Sequence, residues 1–112
     1  MAYDERLAQR IRAALQGRRF ITEKKMFGGI AFLRRGLMFV GVSDGSLMAR
    51  VGKENHADSV GRKHVREMDF TGKPMRGYVF VEAEGTRTEA QLQFWLERCE
   101  QFVSTLPPKA AK

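Results

Sequence analysis

Ile30-Ala31-Phe32-Leu33-Arg34-Arg35-Gly36-Leu37-Met38-Phe39-Val40-Gly41-Val42-Ser43-Asp44-Gly45-Ser46-Leu47-Met48-Ala49-Arg50-Val51 is the stretch that decides the fold. Apolar runs alternate with two brief polar breaks, Arg34-Arg35-Gly36 and Ser43-Asp44-Gly45-Ser46. Breaks this short connect antiparallel neighbours, and an Asp-Gly pair between apolar runs is a strong hairpin signal. The segment therefore reads as a three-stranded meander. Its middle strand, Leu37 to Val42, is apolar on both faces, which places it centrally with cover on either side.

Working outward, Asp4 can cap a first helix in which Leu7, Ala8, Ile11, Ala14 and Leu15 recur at helical spacing. Gly17 closes that helix, and Gly28-Gly29 interrupts an extended run that begins at Ile21. Downstream, Gly52 ends the meander and residues 53–63 read as a short helix, with Asn55 as cap and Ala57 and Val60 facing inward. Val65 to Phe70 is a short strand. Pro74 has no donor for a ladder and belongs in the loop that follows. Gly77 to Glu82 is a further strand. Residues 87–105 form the clearest helix, with Leu92, Trp95, Leu96, Cys99, Phe102, Val103 and Leu106 on one stripe. The expected order is α-β-β-β-α-β-β-α, an α+β class, in one domain over residues 1–106 with residues 107–112 as a frayed tail behind Pro107-Pro108.

With 112 residues, the chain has the length of one domain. The single cysteine, Cys99, excludes an internal disulfide. No apolar leader follows Met1 and no window approaches a membrane span, so the expectation is a cytoplasmic protein with no membrane contact. The formal net charge is +7. Residues 1–40 hold nine Lys/Arg against three acids, so the excess belongs to the first helix and first hairpin. Such a bias favours polyanions, and it also keeps a small protein soluble.

Met26-Phe27-Gly28-Gly29-Ile30-Ala31-Phe32, then Gly36-Leu37-Met38-Phe39, then Asp44-Gly45-Ser46-Leu47-Met48-Ala49-Arg50-Val51 form an ordered series. With the later Pro74-Met75-Arg76-Gly77-Tyr78-Val79-Phe80-Val81, this series resembles the N-terminal domain of the TfoX family of bacterial competence regulators. The resemblance spans roughly residues 3 to 106. It implies a two-layer sandwich, α-β(3)-α-β(2)-α, of secretion-chaperone-like type, with a mainly antiparallel sheet packed by helices. It also implies a role in transcription regulation of competence. Full-length relatives carry a second, helical domain, and this chain is expected to end near the close of the first. The family offers no catalytic residues to carry over.

The residues themselves give no catalytic constellation, and neither an enzyme nor a cofactor is expected. Gly28-Gly29 leads into a strand, whereas a phosphate cradle needs glycines that open a helix. His56 and His64 lie eight residues apart and match no metal-ligand spacing, so both are expected on the surface. Cys99 sits on the apolar stripe, where a thiol behaves as a small hydrophobe. No serine has the Gly-x-Ser-x-Gly setting.

Two kinds of contact surface remain. If Met38, Val40 and Val42 fill one face of the middle strand, Leu37, Phe39 and Gly41 point to the other, and neither face is polar enough to leave wet. A protein partner or a second copy of the chain, docking on Leu37, Met38 and Phe39 with Arg34 and Arg35 as rim, would cover it. Many methionines in the sheet region suit an adaptable contact of this kind. The alternative is a nucleic-acid module using Arg18, Arg19, Lys24, Lys25, Arg34 and Arg35. The aromatics near that cluster, Phe20, Phe27, Phe32 and Phe39, are expected in the core rather than as stacking platforms.

Overall fold

Asp4 begins the first helix by accepting hydrogen bonds from the Arg6 and Leu7 amides at 2.9 and 3.2 Å. A cap of this type contributes about 1 kcal/mol. The computed structural model describes residues 4–26, 29–69 and 74–106. Helix α1 spans Glu5–Leu15 and buries Leu7, Ala8, Ile11 and Leu15. Four strands follow: β1 (Ile21–Met26), β2 (Gly29–Arg34), β3 (Leu37–Ser43) and β4 (Ser46–Arg50). Then come α2 (Lys53–Val60), β5 (Val65–Asp69), β6 (Pro74–Val81), a single 3-10 turn at Ala83–Gly85, and α3 (Glu89–Ser104). Thr88 and Gln91 close a reciprocal capping box at the start of α3. The expected tail over residues 107–112 lies outside the described residues.

The sheet has six strands in the order β1-β2-β3-β4-β6-β5, and every pairing is antiparallel. This is an α+β architecture with one strand more than expected. The run from Ile21 is a strand of its own, paired with β2 so that Met26 stands opposite Gly29. A Cβ on Gly29 would lie 1.9 Å from the Val42 carbonyl oxygen, so only glycine fits where β2 passes β3. Pro74 opens β6 at a position where its missing donor is tolerated, and β6 thus begins three residues earlier than expected.

The helices cover one face of the sheet. Their inward residues meet Ile30, Phe32, Phe39, Val40, Val42, Leu47, Ala49, Val79 and Val81 in one buried cluster. Each fully buried side chain of this kind contributes about 1.5–3 kcal/mol over its exposed state. On the opposite face a second, smaller cluster joins Met48, Met68 and Phe80, with Met38 and Tyr78 half-buried beside it.

The expected alternation of β3 is corrected here. Phe32 pairs with Val40 but Leu33 pairs with Met38, so Phe39 is an extra residue in the ladder. This bulge turns Phe39 and Val40 both toward the helices. Phe39 is fully buried there, so the expected docking face through Phe39 is absent; Leu37 is half-buried against the same core. The methionine-rich face is sealed as well: Met48 and Met68 are 0% and 1% exposed.

Candidate interaction surface

Phe20 is the exception to that burial. It is the exposed large hydrophobic side chain among the described residues, at 52%. It lies between α1 and β1, off the helical stripe and outside the strand, so neither periodicity draws it inward. Its φ is +67°, a left-handed conformation that bulky side chains avoid. The Arg35 amide donates to the Phe20 carbonyl at 2.9 Å, and the Arg35 guanidinium lies 4.2 Å from the Phe20 ring centre. Arg35 also has positive φ, +54°, and Gly36 has +84°, as a two-residue hairpin turn requires. The β2–β3 turn therefore carries the arginine, and the link between α1 and β1 carries the ring beneath it. The expectation that Phe20 is a core residue is corrected, whereas Phe32 and Phe39 are buried as expected. Phe27 lies outside the described residues.

The six basic residues singled out in the sequence do not form one surface. Arg18 and Arg34 both reach Glu100 on α3, Arg34 at 3.4 Å. Lys25 stands opposite Ile30, and Lys24 opposite Ala31, so the two lysines project to opposite faces of β1. Arg12 takes Glu23 through two hydrogen bonds of 2.7 and 3.1 Å. Arg19, Lys24 and Lys25 are exposed and have no ion-pair partner among the described residues, and neither does Arg35. The positive charge left without a partner in this region thus includes the corner where Phe20 and Arg35 stack, with Arg19 adjoining in sequence.

Other arginines stack on rings, and a comparison is informative. Arg66 lies 4.4 Å from the Phe80 ring centre and is ion-paired to Glu82, which also accepts from Ser46 at 3.2 Å. Arg62 and Arg98 lie 4.2 and 4.7 Å from the Phe94 ring centre and share the carboxylate of Asp58, at 3.4 and 2.8 Å. The Arg66 guanidinium beside Glu82 holds that carboxyl below its usual value. The Arg98 hydrogen bond, followed by that from Arg62, does the same for Asp58 against an opposing desolvation. In these clusters ring, guanidinium and carboxylate form a closed set; at Phe20 and Arg35 the carboxylate is missing among the described residues.

The groups weighed for chemistry have structural surroundings. Cys99 is fully buried, and burial pushes its thiol up, away from the thiolate a nucleophile needs. His56, expected on the surface, is buried: its Nδ1 accepts from the Gly77 amide at 2.8 Å and its Nε2 faces Glu67 at 3.6 Å. Gly52 precedes α2 with φ +89°, and a Cβ there would lie 2.5 Å from the Phe102 ring. The helix starts at Lys53 as expected, with Gly52 and not Asn55 at the cap position, and His56 and Ser59, not Ala57, face inward. His64 is exposed as expected. Among the described residues no group of His, Cys, Asp and Glu is placed to hold a metal ion, and no helix is long and apolar enough to cross a membrane.

Fold and surface together define a small α+β domain with an open aromatic–arginine corner. The TfoX N-terminal domain family matches residues 13–103, and the chain belongs to that family. The match includes both residues of the Phe20–Arg35 corner. No curated protein and no solved structure matches the chain.

Proposed function

We propose that the chain is a non-enzymatic regulatory domain of TfoX type that acts in the cytoplasm by binding a protein partner through the Phe20–Arg35 corner. The observation that carries this reading is the exposed, left-handed Phe20 held under Arg35. The left-handed backbone at Phe20 presents the carbonyl that accepts from Arg35 and leaves the ring exposed, and such strain gathers at contact sites. Aromatic and arginine side chains are also the residues that carry most binding energy at protein interfaces. Arg34 adjoins the corner, and Met38 and Leu37 begin the strand that leaves it. These residues are its rim rather than its centre. A second copy of the chain is a poorer occupant than an unlike partner, because each copy carries +7.

Nucleic acid is the second reading, favoured by the free charges of Arg19, Lys24, Lys25 and Arg35. It ranks below a protein partner because Lys24 and Lys25 face opposite ways and Arg18 and Arg34 are engaged with Glu100. Regulation of competence genes is the role that family membership suggests for such a domain. The test is a transcript profile of a deletion strain complemented with the wild type or with Phe20→Gly, at matched protein levels. Loss of the transcriptional response with Phe20→Gly supports the reading; an unchanged response rejects the corner as the working surface.

A further inference from the structure

We propose that the partner presents an acidic segment, in which a carboxylate pairs with Arg35 and a neighbouring apolar side chain covers Phe20. This rests on the corner being the working surface and adds the chemistry of what it binds. The two close stacks at Phe80 and Phe94 supply the pattern, whereas Arg50, farther from its rings at 5.5 Å from Phe102 and 5.6 Å from Tyr78, donates to the Met38 carbonyl instead. Arg66 over Phe80 is completed by Glu82, and Arg62 and Arg98 over Phe94 are completed by Asp58. At Phe80 one carboxylate neutralises the guanidinium, and at Phe94 one carboxylate is shared by two guanidiniums; a carboxylate can pair in this way through in-plane hydrogen bonds that leave the face of the guanidinium to the ring. Arg35 repeats the stack at 4.2 Å without an acid among the described residues. A partner carboxylate would supply the third member.

Two further observations fit an acidic segment. The ring beneath Arg35 is half-exposed, so an apolar side chain next to the carboxylate has surface to cover. Arg19, beside Phe20 in the chain, is exposed and unpaired among the described residues, and it provides a second cation for an adjacent acid. The chain's +7 charge favours encounter with an acidic partner and opposes encounter with a basic one. A phosphate could also meet Arg35, but a nucleic-acid strand needs a run of cations on one face, and β1 divides its lysines between two.

The experiment is fluorescence anisotropy of the full chain with three labelled probes: a short peptide of alternating Glu and Leu, its Gln/Leu counterpart, and a short oligothymidylate. The Glu/Leu peptide is expected to bind about tenfold or more tightly than Gln/Leu, with affinity falling as salt rises. Phe20→Gly and Arg35→Gln should each weaken it by about tenfold, the range of a lost interface anchor or charged pair. Gly accepts the left-handed φ at residue 20, and Arg35→Gln removes charge without altering the backbone register. Equal binding of the Glu and Gln peptides, no response to Arg35→Gln, or tighter binding of the oligothymidylate would overturn the proposal. If Phe20→Gly abolishes the transcriptional response while the Glu/Leu peptide fails to bind, the corner stands and the acidic chemistry falls. If the response survives Phe20→Gly, the corner itself falls.

Discussion

Phe80 and Phe20 each lie under an arginine at nearly the same distance, 4.4 and 4.2 Å, yet their settings differ. Phe80 is 7% exposed and packs with Met48 and Met68, and its arginine is neutralised by Glu82. Phe20 is 52% exposed, strained in φ, and its arginine has no acid among the described residues. The same pair of side chains closes a face of the sheet in one place and leaves a corner open in the other. What differs is the third member and the backbone that presents the ring.

The largest effect that separates the two should come from Phe80→Ala. Removal of a buried ring from the smaller cluster should destabilise the protein by about 3 kcal/mol or more, read from urea unfolding. A loss below about 1 kcal/mol would mean that this cluster packs too loosely to be called a core. Glu82→Gln is expected to be milder, about 1 kcal/mol or less, because the Arg66 pair is partly solvated. Phe20→Gly should lie near zero. It gives up a solvent-facing cation–π contact worth about 0.5–1 kcal/mol and relieves a left-handed conformation that costs about 1–2 kcal/mol. A destabilisation of about 2 kcal/mol or more would assign Phe20 to folding and remove the contrast with Phe80.

The acids of the closed sets make a smaller prediction, in pH. Asp58 and Glu82 are held below their ordinary values of 3.8 and 4.5 by arginine contacts. Depressed carboxylates stabilise the fold fully above those ordinary values, and the contribution disappears as pH falls through the lowered ones. Unfolding followed between neutral pH and about pH 3 should therefore show an acid limb that flattens in Asp58→Asn and Glu82→Gln. An unchanged limb in both variants would show that these pairs add nothing to stability. Arg35→Gln should leave the limb where it is, since no acid depends on Arg35 among the described residues.

Much of the fold could be read from residue patterns. Arg35-Gly36 and Asp44-Gly45 mark their turns because few other residues tolerate such connections, and the α3 stripe from Leu92 to Val103 repeats long enough to define a helix. Three features could not. Strand β1 is an edge with Glu23, Lys24 and Lys25 in its middle, and polar edge strands lack the alternation that reveals a half-buried one. The bulge at Phe39 is invisible because both faces of β3 are apolar, so a skipped register leaves no change of pattern. The burial of His56 rests on a long-range contact, its Nδ1 accepting from the Gly77 amide of β6, which local periodicity in α2 does not reveal.

The candidate surface was legible in part. The basic excess of residues 1–40 and the Arg34-Arg35 pair drew attention to the end of the sheet where Arg35 stacks on Phe20. Which aromatic is exposed was not legible: Phe39 is buried and Phe20 is not. Composition does not distinguish a ring in a strand from one in a link, and the relevant signal was position: Phe20 follows Gly17-Arg18-Arg19 after the helical stripe has ended and before the strand begins. Whether a ring there packs inward depends on a long-range contact with the β2–β3 turn, which no local pattern encodes.

Whether an open aromatic–arginine corner binds while a closed one folds is decided by mapping amide chemical shifts as the Glu/Leu peptide is titrated into the labelled protein. Shifts are expected to concentrate at residues 18–22 and 34–36. Shifts centred on Arg66 and Phe80, or a spectrum that does not move, would contradict that division of roles.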